Sequence, residues 1–501
     1  MDPVATHAST KPDHAAVIAG DVVRSYRELD QRANRLAHVL ASHGAGPGER
    51  VAVMLPNGAE WLEANLATAR LGAQVVPVNW HLLREEIAWI LGDADARVLV
   101  THDSFREQAT QALSRAPDCT PMWVGADYED LLAAADPAPP PTAGASTPGI
   151  VLYTSGTTGR PKGVVHEASQ TDRSRVSHVE LWGFTADDVH ANVGPLYHGA
   201  PWSYAVTHLA LGATVVTLPR WDARAFLDLV QRHRATNAFM VPTHFARLLE
   251  LSDEERARYD LSSLRFILHS GAACPVPLKA RILDALPDVD IWEFYGFSEA
   301  GRVSRIGPAD WREHPGSAGR PFDGVHVVIV DDDGNELPAG STGWICVVAP
   351  AGDTFYYRNN PEATTAITRA TRFGTAITGG DLGHLDGDGY LYVTDRSVDL
   401  VVRGGVNIYP REVEDALHRH AGVSDCAVFG VPDPLHGERL VALVELAPGA
   451  AVTAAELEDH CRSLLAAFKC PEVRLTDALP RDPNGKVRKA LLRDQARSGF
   501  S

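Results

Sequence analysis

The sequence predicts an α/β fold class: a large N-terminal domain of helix-covered, parallel-type sheets carrying a small β-barrel-like subdomain, followed by a small α+β C-terminal domain. Three observations predict it. From residue 26, stretches of helical period alternate with short apolar runs, the pattern of a parallel sheet covered by helices. Beyond Gly316 the texture changes to short strands split by Gly-rich turns, and after Thr394 it becomes a mixture of helices and longer strands. A chain of 501 residues also exceeds what one ordinary core accommodates.

In chain order, the spacing predicts a helix over 29–40, a strand over 51–55, a helix over 60–71, a strand over 74–78, a helix over 84–91 and a strand over 98–100. The Pro- and Ala-rich run 133–148 reads as a surface connector, and the apolar run 149–153 as a buried strand. A second alternating block follows over 189–294, with strands at 214–218, 238–241 and 266–270. The turns Asp331-Asp332-Asp333-Gly334 and Asp386-Gly387-Asp388-Gly389 punctuate an antiparallel or barrel-like region. Helices over 411–420 and 454–465, with strands over 426–429 and 440–446, complete the chain. The predicted organisation is an N-terminal domain over 1–395 (β-rich from about 316 to 395), a boundary over 396–399, which the resemblance described below makes a hinge, and a C-terminal domain over 400–501.

Composition excludes several classes of function. A hydrophobic content of 45% with 22% charged residues is that of a globular chain, and no apolar run is long enough for a membrane span. The polar start Met1-Asp2-Pro3 lacks a signal peptide's basic and apolar regions, so a cytoplasmic protein is expected. A formal charge of −18 argues against nucleic acid, whose phosphates are held by clustered Lys and Arg. The six cysteines form no Cys-x-x-Cys pair, so they are expected to be reduced and mostly buried. Only six lysines stand against forty arginines. Two of the six, Lys162 and Lys486, lie in Gly-containing loops, where a point charge suits phosphate.

The segment Tyr153 to Val164 is the richest in chemistry. Thr154, Ser155, Thr157 and Thr158 offer hydroxyl donors, Gly156, Gly159 and Gly163 leave backbone N–H groups open to an anion, and Lys162 adds a charge. The pattern is not a Walker loop, because Arg160 and Pro161 separate Gly159 from Lys162.

Farther along, Glu293-Phe294-Tyr295-Gly296-Phe297-Ser298-Glu299 joins an aromatic face, a hydroxyl and a carboxylate. These can stack on adenine, donate to an α-phosphate and hold Mg²⁺ respectively. His269-Ser270-Gly271-Ala272-Ala273 ends an apolar strand in small residues that let a planar group lie against the backbone. Asp381, in Gly380-Asp381-Leu382-Gly383, can accept from both hydroxyls of a ribose. Lys486, in Pro480-Arg481-Asp482-Pro483-Asn484-Gly485-Lys486, is presented by an Asn-Gly turn and can meet charge that builds on a phosphate.

In this order, these segments resemble the adenylate-forming superfamily of acyl- and aryl-CoA synthetases, luciferases and peptide-synthetase adenylation domains, and most nearly its acyl-CoA ligases. The resemblance runs from about Tyr26 to Leu492. It implies that Tyr295 stacks on adenine, that Ser298 bonds the AMP phosphate, and that Glu299 binds Mg²⁺ with Thr154 as a second metal-site residue. It also implies that Asp381 holds the ribose, that Arg396 lies near the hinge, and that the Gly404-Gly405 loop admits the thiol arm of coenzyme A. Tyr197-His198 matches the family's Pro-x-Phe-His segment, which gives His198 a catalytic or gating part. Tyr197, Trp202, Tyr204, His269 and Arg302 are candidates for the acid pocket. Val398 departs from the Asp or Lys that relatives carry at the hinge, and Ser298 replaces their Thr.

The implied reaction is a two-step ligation that uses ATP, Mg²⁺ and coenzyme A on a small carboxylic acid. Lys486 serves adenylation, Lys162 the departing pyrophosphate, and rotation about 396–399 brings in the thiol. A carrier-protein thiol or an amine as acceptor, or another oxyanion such as nitrite as the activated group, is compatible with the same residues. A non-catalytic nucleotide-binding module is the alternative from another class, and Lys162, Glu299 and Lys486 together speak against it. The resemblance admits a homodimer.

Overall fold

Ser25 starts the first long helix by a reciprocal cap. Its hydroxyl accepts from Glu28 N at 3.2 Å while the Glu28 carboxylate accepts from Ser25 N at 2.8 Å. The helix Tyr26–Ser42 that follows buries Leu29, Ala33, Leu36, Ala37 and Leu40, one stripe at helical spacing. The structure, a computed structural model, describes residues 2–141, 149–154, 160–166, 179–348, 355–403, 406–434, 436–482 and 485–497. The chain divides into two compact units. One comprises Met1–Met240, Glu254–Leu268 and Pro350–Ala366, and the other Val241–Asp253, His269–Ala349 and Ile367–Ser501.

The first unit holds the expected parallel sheets. Strands Gln74–Pro77, Arg50–Met54, Ala96–His102 and Thr120–Val124 lie side by side in that order, every pair parallel. Helices Ala59–Arg70 and Arg84–Asp93 connect them in sequence, as the alternating pattern predicts. A second set runs Asn237–Met240, Val189–Asn192, Thr214–Thr217, Ala15–Ala19, Val22–Ser25, parallel until the last pair.

The elements before residue 26 are additions to the sequence reading. They are the helix Pro3–Thr10, capped by the Asp2 side chain, and the hairpin Ala15–Ala19 with Val22–Ser25. A third, antiparallel sheet joins Phe355–Tyr357, Lys162–His166 and Val151–Thr154. The connector 133–148 lies partly outside the described residues.

In the second unit, six strands between His326 and Arg396 form one sheet with antiparallel pairing, matching the expected β-rich region. A five-stranded sheet follows, built on the long hairpin Val423–Asp433 with Gly437–Leu446. These strands run well past the predicted bounds because they pair with each other along nearly their whole length. Helices Pro410–His418 and Ala454–Leu464 stand close to the predicted positions, and Val401, Ile408, Val413, Leu417, Val428 and Leu457 fill the core beside them.

All six cysteines are free, five of them buried. Among the described residues no helix is long and apolar enough to cross a membrane.

Candidate functional site

In the first unit, antiparallel pairing sets Thr154 opposite Lys162 and Tyr153 opposite Gly163, so the two stems of the phosphate loop rise side by side. Ser155, Gly156, Thr157, Thr158 and Gly159 lie outside the described residues. Gly163 is required by the stem: a Cβ there would come within 2.9 Å of the Tyr153 ring, which lies across it. The Lys162 ammonium sits 5.2 Å from the centre of the Tyr357 ring, a cation–π distance that keeps its charge on one side of the small sheet.

The aromatic segment Pro195 to Trp202 is anchored by Asn57, which the sequence reading did not single out. Its amide donates to the carbonyls of Gly194 and Leu218 at 2.9 and 3.0 Å and accepts from Leu196 N at 2.8 Å. His198, half-buried, precedes the helix Gly199–Leu211 in an extended conformation, its ring 4.6 Å from that of Tyr197. Trp202 donates to Asn65 Oδ1 at 2.8 Å. Tyr204 is 1% exposed and packs between Phe184 and Phe239, a core position.

In the second unit, the strands Asp290–Phe297 and Gly301–Ile306 form a hairpin whose turn carries Ser298, Glu299 and Ala300. Gly296 is required by close approach. A Cβ there would lie 2.1 Å from the Gly301 carbonyl oxygen, at the bulge that tightens the hairpin and presents Ser298 and Glu299. Phe294 is buried. Arg302 leaves the turn with its guanidinium 5.6 Å from the Phe322 ring centre.

Two positions before Tyr295 on the same strand, Glu293 receives the ammonium of the fully buried Lys279 at 2.6 Å. His269, also fully buried, stands 3.5 Å from the same carboxylate, and its ring meets Phe245 edge-on. Burial, and then the Lys279 charge, hold the His269 imidazole well below the ordinary histidine range, so it is neutral. Gly271, Ala272 and Ala273 follow as an exposed run of small residues, with Gly271 at φ +85°.

The strands Asp381–Leu385 and Leu391–Arg396 pair so that Asp381 stands opposite Arg396. The Tyr295 hydroxyl donates to one oxygen of Asp381 at 2.7 Å, and Arg396 Nε lies 3.2 Å from the other. Burial, then the neighbouring Asp381 charge, push the Tyr295 phenol well above its usual value.

Lys486 joins this group. Desolvation lowers its pKa first and the Arg396 charge lowers it further, while Asp482 and Asp381 oppose both. The Lys486 side chain is exposed to water. Its loop is fixed by Asp482, whose carboxylate accepts from Lys486 N at 2.9 Å, and by Gly485 at φ +79°. A Cβ on Gly485 would collide with Thr243, a packing partner that nothing in the local sequence marks.

The 3-10 turn Ser397–Asp399 leaves Val398 exposed, and Gly404 and Gly405 lie outside the described residues. The structure thus gathers Tyr295, Asp381, Arg396 and Lys486 in one place, and Glu293 with His269 in another beside Lys279. Among the described residues no cluster of three or more His, Cys, Asp or Glu could hold a metal alone.

Such an arrangement can bind a ribose-bearing anion and place an ammonium against it. The comparisons with known proteins give the family. Residues 4–357 match the family described as AMP-binding enzyme, and residues 412–486 match the AMP-binding enzyme C-terminal domain. The chain is 34% identical to an indoleacetate–CoA ligase of Aromatoleum aromaticum, over 96% of this chain and 95% of that protein. It is 32% identical to the fatty acid–[acyl-carrier-protein] ligase ScoC of Streptomyces coeruleorubidus, over 98% and 95%. The ATP-bound structure of MatB from Rhodopseudomonas palustris superposes with a TM-score of 0.86 at 31% identity, covering 100% of this chain and 99% of that one.

Proposed function

Because the chain belongs to the AMP-binding enzyme family, we propose that it is an ATP-dependent carboxylic acid–CoA ligase acting in the cytoplasm. The observation that carries this reading is the carboxylate of Asp381 held between the Tyr295 hydroxyl and Arg396, in a field of charge that also acts on Lys486.

In this reading a carboxylate oxygen attacks the α-phosphorus of ATP, pyrophosphate leaves, and an acyl-adenylate forms. Lys486 meets the charge that builds on the α-phosphate and the incoming carboxylate, where a fixed ammonium contributes most. Lys162 and the hydroxyl-rich loop hold the departing pyrophosphate. Asp381 holds the ribose hydroxyls, and Tyr295 presents its ring to the base. A single half-buried carboxylate, Glu299, fits Mg²⁺ in phosphate chemistry, because that ion takes most of its ligands from phosphate oxygens and water. Bound there, the ion would neutralise phosphate charge.

Rotation of the segment after 396–399 would then withdraw Lys486 and bring in the Gly404-Gly405 loop, so that the thiol of coenzyme A attacks the acyl carbon and AMP leaves. Val398 is 48% exposed, so it is not anchored in a core at the segment about which such a rotation would turn. A carrier-protein thiol is the second reading, favoured by the likeness to ScoC.

The deciding experiment is acid-dependent pyrophosphate release across fatty, aromatic and other carboxylic acids, followed by AMP release with coenzyme A, a phosphopantetheinyl carrier protein or an amine in turn. Thioester formation with coenzyme A supports the proposal. Turnover with carrier protein alone moves it to the second reading, and no ATP turnover with any acid overturns both.

A further inference from the structure

The helix Arg84–Asp93 contributes no residue to the chemistry above, yet both stems of the phosphate loop are tied to it. Trp89 and Asp93 stand four residues apart and so share one face of that helix. On the descending stem, Trp89 donates its indole N–H to the Pro161 carbonyl at 3.1 Å, and the Arg160 guanidinium lies 4.5 Å from the centre of its ring. On the ascending stem, Tyr153 donates its hydroxyl to the Asp93 carboxylate at 2.7 Å.

Asp93 also closes the third strand of the small sheet. Its carbonyl accepts from Arg358 Nε at 2.8 Å and from the Asn359 amide at 2.9 Å, and Arg358 is further paired with Asp95. These residues directly follow Tyr357, the ring beside Lys162. Burial, with Asp93 as partner, raises the Tyr153 phenol, so the hydroxyl stays a donor at any working pH.

We infer that Trp89 and Asp93 are positioning residues for the polyphosphate: they fix the spacing of the two loop stems and the direction of Lys162, and thereby set affinity for the β- and γ-phosphates without touching them. The inference rests on the adenylating reading. It separates two parts of the nucleotide, because the clamp acts on the loop stems and not on Asp381 or Tyr295. Loss of the clamp therefore weakens ligands carrying a pyrophosphate unit and leaves AMP binding as it is.

The test is calorimetric titration of the full chain with MgATP, magnesium pyrophosphate and AMP. Trp89→Ala is expected to raise the dissociation constants of MgATP and pyrophosphate about tenfold, the loss of one hydrogen bond and one cation–π contact, with AMP unchanged. Trp89→Phe keeps the ring beneath Arg160 and is expected to recover part of the affinity. Tyr153→Phe, which removes only the bond to Asp93, gives the same selective weakening should Trp89→Ala fold poorly. Equal weakening of all three ligands, or none in either Trp89→Ala or Tyr153→Phe, overturns the inference while leaving the adenylating reading intact. A wild-type chain that binds no nucleotide overturns both.

Discussion

Tyr295 and Asp381 are joined by a 2.7 Å hydrogen bond in which the phenol donates and the carboxylate accepts. The group expected to face the base thus orients the group expected to hold the sugar. Tyr295→Phe keeps the ring and removes the donor. It is expected to raise the KM for ATP about tenfold through misdirection of Asp381, the scale of one hydrogen bond to a charged group, with little change in the KM for the acid. Steady-state pyrophosphate exchange with varied ATP and varied acid checks it.

Lys486→Ala is expected to lower the adenylation rate by about 10²–10³, the cost of removing one preorganised charge from the reacting centre. Conversion of a preformed acyl-adenylate to thioester should stay close to the wild-type rate, since the proposed reading gives Lys486 no part in that step. Single-turnover measurements of the two half-reactions are decisive. Equal losses in both, with the fold intact, count against the division of labour.

Lys279 is fully buried and bound to Glu293. Lys279→Met leaves a nearly buried carboxylate without its cation and is expected to cost about 3–5 kcal/mol of stability. Pairing it with Glu293→Gln removes the stranded charge, so the double variant should regain most of the loss. Urea midpoints of the two single variants and the double variant form the cycle.

His190 and His208 stack at 4.4 Å inside the first unit. Asn237 bridges them, its Oδ1 accepting from His190 Nδ1 at 2.7 Å and its Nδ2 donating to His208 Nε2 at 3.2 Å. Burial lowers both, His208 to about 4, with Asp188 opposing that shift and Arg265 adding to it. Both rings are therefore neutral in the folded chain at pH 7. As pH falls below the ordinary value of 6.5, the unfolded chain takes up protons that the buried rings refuse, so stability falls. The slope is expected to reach about 1.4 kcal/mol per pH unit for each ring, continuing for His208 down to about pH 4. His208→Gln should flatten the dependence by about one proton, as measured by urea midpoints between pH 7 and 4.5.

What was legible in the sequence was what is contiguous in it. The helix Tyr26–Ser42 and the strand Arg50–Met54 announce themselves by period, and Tyr295 to Glu299 sit on one hairpin, so motif and geometry coincide. The strand Ala15–Ala19 went unread because five apolar residues in a row carry no period of their own, and one of its two partners, Thr214–Thr217, lies far along the chain. Thr243 against Gly485, Lys279 beneath Glu293 and Asn57 behind Leu196 escaped for the same reason. Lysine scarcity marked Lys162 and Lys486, but it did not discriminate: Lys279, Lys469 and Lys489 hold carboxylates, and Lys11 holds the Gly212 carbonyl.

The pairing of Asp381 with Arg396 also restricts how this chain can change in length. Leu385 stands opposite Leu391, and the turn between them closes with Asp386 N on the Tyr390 carbonyl. A residue gained or lost at Gly387 to Gly389 alters only the turn. A single residue gained in either strand would swing Asp381 or Arg396 to the opposite face of the sheet, since side chains alternate with a period of two, unless a bulge takes it up as one does between Leu382 and Gly383. Changes in length are therefore tolerated at the tip of this hairpin, and in its arms only where a bulge absorbs them.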